Sequence, residues 1–405
     1  MMRYRKPSLL HYRFAQLVCW IFSKLIFRRK VLRNEIRGVQ GPYVVIANHQ
    51  AAYDFVNLIT LTKRPMSFVI SNSFYNSLPI TGYLNKMGVI PKQQFQTTVS
   101  DMKDMKAVID AGQPLVIYPA GLMCEDGLST PIPMATYKFL KWLNVDVYVA
   151  KTRGTYFAMP KWSKGFRPGR TYLDVYKLMS AEELAQMSID EVQEKTDAAL
   201  AYDAYREQEE LLIKYAKGSN IQGLEYVLYV CPHCGGEHTT QIRDGRTIFC
   251  TACGYEQTAD EYGFLHNHKG VGPDLRYVSD WSRLSYDGVS RQVERGEIGA
   301  LTEQIDIQMI DFEKHKFVDV GQGSLTLEKD RFLICGILNG DPVELKISTQ
   351  GLPTLPFSPG KYLEIQDGKT IYRCVFHGGR QVMKFINLVK IYYQNSHTKQ
   401  EQMTM

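Results

Sequence analysis

A histidine and an aspartate, five residues apart, follow a short apolar run near the beginning of the chain. Residues 48–54 read NHQAAYD and come directly after the strand-like run YVVIAN. Across a strand-to-helix turn, the Asp54 carboxylate can hold one nitrogen of the His49 ring and fix its tautomer. The other ring nitrogen can then take a proton from a hydroxyl group. The pair therefore predicts a general base, and a purely structural His–Asp hydrogen bond is the competing interpretation.

Four of the eight cysteines form two CxxC pairs separated by fifteen residues. This spacing resembles a zinc ribbon, in which each pair turns both thiolates toward one ion, and Gly235 and Gly254 permit those turns. Four thiolates close a tetrahedral site, which predicts a structural Zn²⁺ rather than a catalytic one. A disulfide pair is the alternative. It is disfavoured because the remaining cysteines are scattered, which indicates a reducing cytosol. The predicted metal ligands are Cys231, Cys234, Cys250 and Cys253.

Strand-like and helix-like runs alternate between residues 41 and 178, around the His–Asp segment. Such alternation predicts an α/β layer with a largely parallel sheet. Two capping boxes, Ser180 with Glu183 and Ser188 with Glu191, predict one or two polar helices over residues 181–215. The predicted strands are 43–48, 114–119 and 145–151, and the predicted helices are 97–112 and 137–143.

Three blocks in this region resemble the glycerolipid acyltransferase family of the lysophosphatidate type. The first is NHxxxxD at 48–54, the second is GVIPK at 88–92, and the third is YPAG at 118–121. The resemblance extends over about residues 10–215. It implies transfer of an acyl group from an acyl thioester, carried by coenzyme A or an acyl-carrier protein, to the hydroxyl of a lyso-lipid or glycerol-phosphate-type acceptor. His49 would be the general base and Asp54 would orient it.

The third block departs from the family pattern, because Ala120 and Met123 stand where the family has Glu and Arg. Without the arginine, the phosphate of an acceptor loses a partner. Glu125 and Asp126 are candidates to replace the missing glutamate. The alternative function is a catalytically lapsed lipid- or protein-binding scaffold of the same fold, although the intact His49–Asp54 pair favours an enzyme. The expected substrate contacts are Lys92, Gly121, Lys151 and Arg153.

The charge of the chain is concentrated at its beginning. The 405 residues carry a net charge of +6, but residues 1–37 alone hold ten basic side chains and one acidic side chain. Residues 8–27 add aromatic bulk without an apolar run long enough to cross a bilayer. This predicts a basic helix over 1–36 that lies in a membrane interface, on the cytoplasmic face of the cell membrane. A buried terminal helix with a solvated basic edge is the alternative.

The length predicts two to four domains. Residues 300–378 show period-two patterning with an Asp367-Gly368 hairpin signal, and an amphipathic helix follows at 380–393. This region resembles a pleckstrin-homology-like barrel that contacts lipid or a protein partner. Residues 226–262 hold two basic and five acidic side chains, so no nucleic-acid partner is expected. The predicted domains are 1–36 (interfacial helix), 37–222 (acyltransferase), 223–263 (zinc ribbon) and 270–396 (β domain with a terminal helix).

Overall fold

The structure, a computed structural model, describes residues 6–95 and 98–404, with side chains through residue 396. Residues 1–5 of the predicted interfacial helix and residue 97 of the predicted helix 97–112 lie outside the described residues. The chain divides into two compact units. The first contains residues 1–161 and 165–218, and the second contains residues 162–164 and 219–405. The second unit therefore includes both the predicted zinc ribbon and the predicted β domain.

The first unit begins with helix α1, Leu9–Phe22, which continues as a π-helical turn over Ser23–Phe27. Tyr12, Ala15 and Cys19 are buried, and their spacing places them on one face of the helix. The turn ends at Arg28, whose left-handed φ of 42° reverses the chain. Of the predicted helix over 1–36, residues 9–27 are helical, whereas Lys30–Asn34 form a strand because they pair with the strand at Tyr172–Met179.

A seven-stranded sheet forms the centre of the first unit, in the order β1-β7-β6-β2-β5-β3-β4. Neighbouring strands are parallel except for the antiparallel pair β6–β7, which confirms the predicted largely parallel sheet. The central strands consist of continuous apolar runs because both of their faces are covered. The strands are β1 Lys30–Asn34, β2 Val44–Ala47, β3 Ser67–Ser71, β4 Ile90–Lys92, β5 Leu115–Ile117, β6 Val147–Arg153 and β7 Tyr172–Met179.

The predicted helix 181–215 is three helices, not one or two. Both predicted capping boxes are present, and Asp203 caps a third helix by accepting two backbone N–H groups. Each new cap takes up backbone donors, so the chain restarts as a helix at that residue. The helices of this unit after α1 are α2 Phe55–Leu58, α3 Asn72–Asn76, α4 Thr81–Lys86, α5 Val99–Asp110, α6 Met134–Leu143, α7 Thr155–Ala158, α8 Ala181–Gln186, α9 Ile189–Leu200 and α10 Ala204–Leu211.

Different helices cover the two faces of this sheet. Helices α5, α6, α8 and α9 share one hydrophobic core with alternate residues of β2 and β6. Val69 of β3 packs against that core, whereas its neighbour Phe68 contacts Phe55 of α2. Successive strand residues point to opposite faces, so α2 covers the other face. Gln16 of α1 donates to two backbone carbonyls just after α2, both at 2.8 Å, which places α1 on the face of α2.

The second unit contains two antiparallel sheets. The first has four strands, β8 Thr240–Arg243, β9 Thr247–Cys250, β10 Glu256–Ala259 and β11 Leu265–His266, in the order β11-β10-β9-β8. The second has seven strands in the order β15-β14-β13-β12-β18-β17-β16, and its closure into a barrel stays a prediction. Those seven strands are β12 Leu301–Asp311, β13 Lys316–Leu327, β14 Arg331–Leu338, β15 Asp341–Ser348, β16 Phe357–Ser358, β17 Tyr362–Asp367 and β18 Thr370–Phe376.

Two helices accompany these sheets. The terminal helix α12 spans Val382–Thr404 and begins near the predicted residue, and the hairpin at Asp367-Gly368 joins β17 to β18. Helix α11, Val278–Glu294, lies within the segment predicted to be β structure apart from its last helix. Val278, Trp281 and Val289 form its buried face, and that helical spacing is the signal that distinguishes it from a strand.

Candidate active site and candidate metal centre

The turn after β2 is organised around one carboxylate oxygen. Asp54 is fully buried, and its Oδ2 accepts hydrogen bonds from the backbone N–H groups of Gln50 at 2.7 Å and Ala51 at 2.9 Å. The same oxygen lies 3.1 Å from Nδ1 of His49. Because the two amides can only donate, they hold the carboxylate in one position. The structure therefore brings the predicted pair together.

The His49 ring is packed on one side and remains accessible, with 19% of its side chain exposed. It contacts the ring of Tyr118 in the third block, with ring centroids 4.5 Å apart and the ring planes tilted by 33°. The His49 carbonyl accepts a hydrogen bond from the Tyr202 hydroxyl at 3.2 Å. Backbone and ring are thus both held by residues far away in the sequence.

The side-chain amides of Asn48 and Gln50, on either side of His49, bond the turn to the segment that contains β6. Asn48 and the backbone of Thr152 on β6 exchange two hydrogen bonds, each 2.8 Å long. The side-chain oxygen Oε1 of Gln50 accepts from the Thr155 hydroxyl at 3.1 Å and from the Tyr156 N–H at 3.2 Å. The sequence patterns assign no role to these two side chains. Their signal is that a polar amide stands on each side of a histidine at the end of a buried strand.

A small cavity opens beside His49. The third block forms part of its wall, where the Gly121 N–H donates to the Tyr118 carbonyl at 3.0 Å and closes a turn. Gly121 has a φ of +70°, a conformation that glycine adopts without strain. No lysine or arginine is among the cavity's lining residues, which are Ala47, Asn48, His49, Pro119, Ala120, Leu122, Ser129, Thr130, Ile132, Leu200 and Tyr202.

Residues 28–150, which contain the His–Asp turn and the third block, match the family model described as acyltransferase. This segment is an acyltransferase-family domain. The match confirms the family predicted from the NHxxxxD block. No curated protein matches the chain.

Two solved structures are similar to parts of the chain. The 1-acyl-sn-glycerophosphate (LPA) acyltransferase PlsC from Thermotoga maritima is 17% identical, with a TM-score of 0.41. That similarity covers 50% of this chain and 78% of PlsC. The Ran binding domain of Nup2 from Ashbya gossypii is 16% identical, with a TM-score of 0.19, over 24% of this chain and 99% of that domain.

The predicted substrate contacts lie outside the cavity wall, and each has a partner within the protein. Lys92 Nζ donates to the Gln93 carbonyl at 3.0 Å, and burial lowers the pKa of this lysine. The Gly121 carbonyl accepts from the Gln94 side chain at 2.6 Å. On β6, just beyond the segment matched by the acyltransferase family model, Lys151 Nζ donates to the Ala201 carbonyl at 2.7 Å. Arg153 lies 4.0 Å from Glu210.

A half-buried carboxyl group lies near those two cations. Burial raises the pKa of Glu207 on α10 to about 7, while Lys151 and Arg153 act in the opposite direction. At neutral pH this carboxyl is therefore divided between its charged and neutral forms.

The four predicted metal ligands converge in the second unit. Their Sγ atoms all lie within 4.8 Å of one another. The Cys231–Cys253 and Cys234–Cys250 sulfur distances are 3.7 and 3.8 Å. An ion about 2.3 Å from four tetrahedral sulfurs would separate those sulfurs by about 3.8 Å. The cluster therefore has a spacing that can hold a metal ion.

The turns of the two CxxC pairs form as the glycines predict. The Gly235 N–H donates to the Cys231 carbonyl at 2.9 Å, and the Gly254 N–H donates to the Cys250 carbonyl at 3.0 Å. Both glycines have a positive φ, 73° and 74°. The surrounding segment is bonded to the helices of its unit. Trp281 of α11 donates to the Val230 carbonyl at 2.7 Å, and Lys384 of α12 pairs with Glu237 at 2.6 Å.

Proposed function

We propose that this protein transfers an acyl group from an acyl thioester to the hydroxyl of a lyso-lipid or glycerol-phosphate-type acceptor. The observation that carries the proposal is the His49–Asp54 pair, which a buried turn holds at the wall of a cavity in an acyltransferase-family domain. The acyl donor is acyl-coenzyme A or an acylated acyl-carrier protein. The reaction belongs to phospholipid biosynthesis.

The chemistry follows from the orientation of the imidazole ring. With its Nδ1–H donated to Asp54, His49 presents Nε2 as the base. Nε2 takes the proton of the acceptor hydroxyl while that oxygen attacks the thioester carbonyl carbon. The tetrahedral intermediate then collapses, the C–S bond breaks, and the imidazolium proton passes to the departing sulfur. The products are an ester and a free thiol, and His49 regains its starting state.

The wall of the cavity bears on the choice of acceptor. Ala120 lines the cavity where the resembling family has a carboxylate, and no lysine or arginine lines it. We therefore keep Lys92, Gly121, Lys151 and Arg153 as proposed contacts for parts of the substrates that extend beyond the cavity. The same neutral wall favours the second candidate function, a lapsed scaffold that binds lipid or protein without turnover.

We further propose that α1 binds the membrane, as a peripheral attachment on its cytoplasmic face. The outer face of α1 exposes large apolar side chains, and Leu10 is 78% exposed. Phe22 of the same helix contacts Tyr53, inside the NHxxxxD block, with ring centroids 5.8 Å apart. Among the described residues, no helix has both the length and the apolar character needed to cross a bilayer.

The cysteine cluster is proposed to hold one structural Zn²⁺. Four thiolates leave no coordination position for substrate, so the ion supplies folding energy rather than catalysis. Its ligands would be Cys231, Cys234, Cys250 and Cys253, whose mutual distances fit a tetrahedral ion. The β domain is proposed to contact lipid or a protein partner.

The test is an assay of the purified full-length protein with lyso-lipid and glycerol-phosphate acceptors, offering acyl-coenzyme A and acyl-carrier protein separately. We expect esterification that His49→Ala abolishes. The matched control is His377→Ala, because His377 pairs with Asp306 at 3.0 Å in an exposed position of the second unit. No turnover with any donor and acceptor, together with binding of lipid, would identify the scaffold instead. Lipid analysis of a deletion strain then shows which lyso-lipid accumulates.

A further inference from the structure

The two faces of the sheet in the first unit carry charges of opposite sign. Residues 6–37, which contain α1 and β1, hold eight basic side chains and one acidic side chain. Residues 181–200, which contain α8 and α9, hold six acidic side chains and one lysine. Helices α5 and α6 on the same face add three acidic side chains and four lysines, so the four helices together hold nine acidic and five basic side chains. Because α1 and α8–α9 cover opposite faces of the sheet, this difference runs across the unit rather than along the chain.

The face of α1, called here the basic face, combines exposed cations with exposed apolar groups. Arg13, Lys24 and Arg28 are exposed, whereas Arg29 is bonded to Thr60 and Arg33 to Asp174. The exposed apolar side chains of this face are Leu9, Leu10, Phe14, Leu17, Val18, Trp20, Ile21 and Leu25.

The face of α8 and α9, called here the acidic face, has the reverse character. Its apolar residues Leu184 and Val192 are buried in the core beneath the helices. Glu183 and Glu191 complete capping boxes, so local helix structure explains those two. Three further acids are exposed and have no part in either capping box: Glu182, Asp190 and Glu194.

We propose that the acidic face orients the catalytic unit on an anionic membrane. The inference rests on the proposed attachment through α1 and adds which face turns away from the lipid. Anionic lipids attract the basic face and repel the acidic face over about a Debye length, roughly 8–10 Å. The unit therefore binds with α1 against the lipid and α8–α9 toward water. Attachment through the acidic face is prevented by this repulsion.

Two exposed tryptophans report the two faces directly. Trp20 of α1 is 50% exposed, and Trp142 of α6 is 46% exposed on the side of the acidic face. Trp162 and Trp281 are buried and supply a constant background. The probe is a vesicle of phosphatidylcholine and phosphatidylserine with brominated acyl chains, which quench nearby tryptophans. We expect Trp20→Phe to remove most of the quenching of the full-length protein and Trp142→Phe to leave it unchanged.

Charge reversal tests the cause of the orientation. The triple variant Glu182→Lys, Asp190→Lys, Glu194→Lys spares both capping boxes, and we expect severalfold more binding together with new quenching of Trp142. The control triple Glu297→Lys, Glu313→Lys, Asp341→Lys changes the net charge equally at exposed positions of the second unit. Quenching of Trp142 in the wild type, or equally in both triples, would overturn the inference alone. Absence of vesicle binding would overturn the proposed attachment and the inference with it.

Discussion

The turn at His49 and the cluster of four cysteines are both short motifs, but they are completed by different partners. In the turn, one oxygen of Asp54 receives a histidine nitrogen and two backbone amides from its own six residues. In the cluster, four sulfurs from two separate CxxC pairs come within 4.8 Å of one another, a spacing that can hold a metal ion. The His49 turn is therefore closed by bonds among its own residues, whereas the cysteine cluster is proposed to need an ion. The following experiments test that difference.

The largest expected effect is on catalysis. His49→Ala removes the proposed base, so we expect acyl transfer to fall by about 10²–10⁴-fold. Asp54→Asn should lose most activity as well, because the imidazolium loses its orienting charge. Steady-state kinetics measures both losses, and bound metal and circular dichroism should match those of the wild type. Wild-type turnover in His49→Ala would refute the assignment.

The next effect is on the second unit. Cys231→Ser removes one of four ligands, so we expect less than one zinc per chain and a loss of stability on the order of several kcal/mol. Elemental analysis of purified protein measures the zinc, and urea unfolding measures the stability. Cys335→Ser is the control, because Cys335 lies on β14 and outside the cluster. Equal zinc in both variants would show that Cys231 is not a ligand.

A pH experiment tests a buried carboxyl group of the first unit. Burial raises the folded-state pKa of Glu207 from its ordinary value of 4.5 to about 7. The folded state therefore retains a proton that the unfolded state loses, and stability falls as pH rises from about 4.5 to about 7. Glu207→Gln removes this penalty. We expect it to gain roughly 1–2 kcal/mol over the wild type at pH 8, with allowance for partial exposure, and much less at pH 5.

Urea unfolding at the two pH values measures that difference. The control is Glu194→Gln, because Glu194 is exposed on the neighbouring helix α9. An equal gain in the control, or a gain for Glu207→Gln that does not change with pH, would contradict the buried-carboxyl explanation.

The smallest expected effect concerns the ring that packs against His49. Tyr118→Phe keeps this ring contact and removes a hydroxyl that is buried and has no hydrogen-bond partner among the described residues. We expect kcat within about twofold of the wild type. Tyr118→Ala loses an aromatic contact worth about 0.5–1.5 kcal/mol, which corresponds to a roughly 2- to 10-fold lower kcat. If Phe and Ala lower kcat equally, the hydroxyl rather than the ring supports the base.

The sequence could predict the contacts that form between residues close together in the chain. The His49–Asp54 contact closes within six residues, and each CxxC turn closes within five, so spacing alone indicates them. The bridge between Asn48 and Thr152 joins residues 104 positions apart and depends on which strands are neighbours. Lys151 bonds to Ala201 at the end of α9 and Arg153 lies near Glu210 of α10, and the sequence does not reveal where those residues lie. Helix α11 carries mostly polar residues outside its buried face, so its period is weak.

The pairing of β1 with β7 has a consequence for the order in which the chain is made. Lys30 on β1 pairs with Tyr172 on β7, so the strand that follows α1 has no partner until about 140 more residues are synthesised. At about 5–20 residues per second, that interval lasts roughly 7–30 s. Throughout that interval, α1 is without the strand pairing that later anchors its C-terminal end. If the helix binds lipid as proposed, the ribosome delivers it to the membrane before the catalytic unit exists.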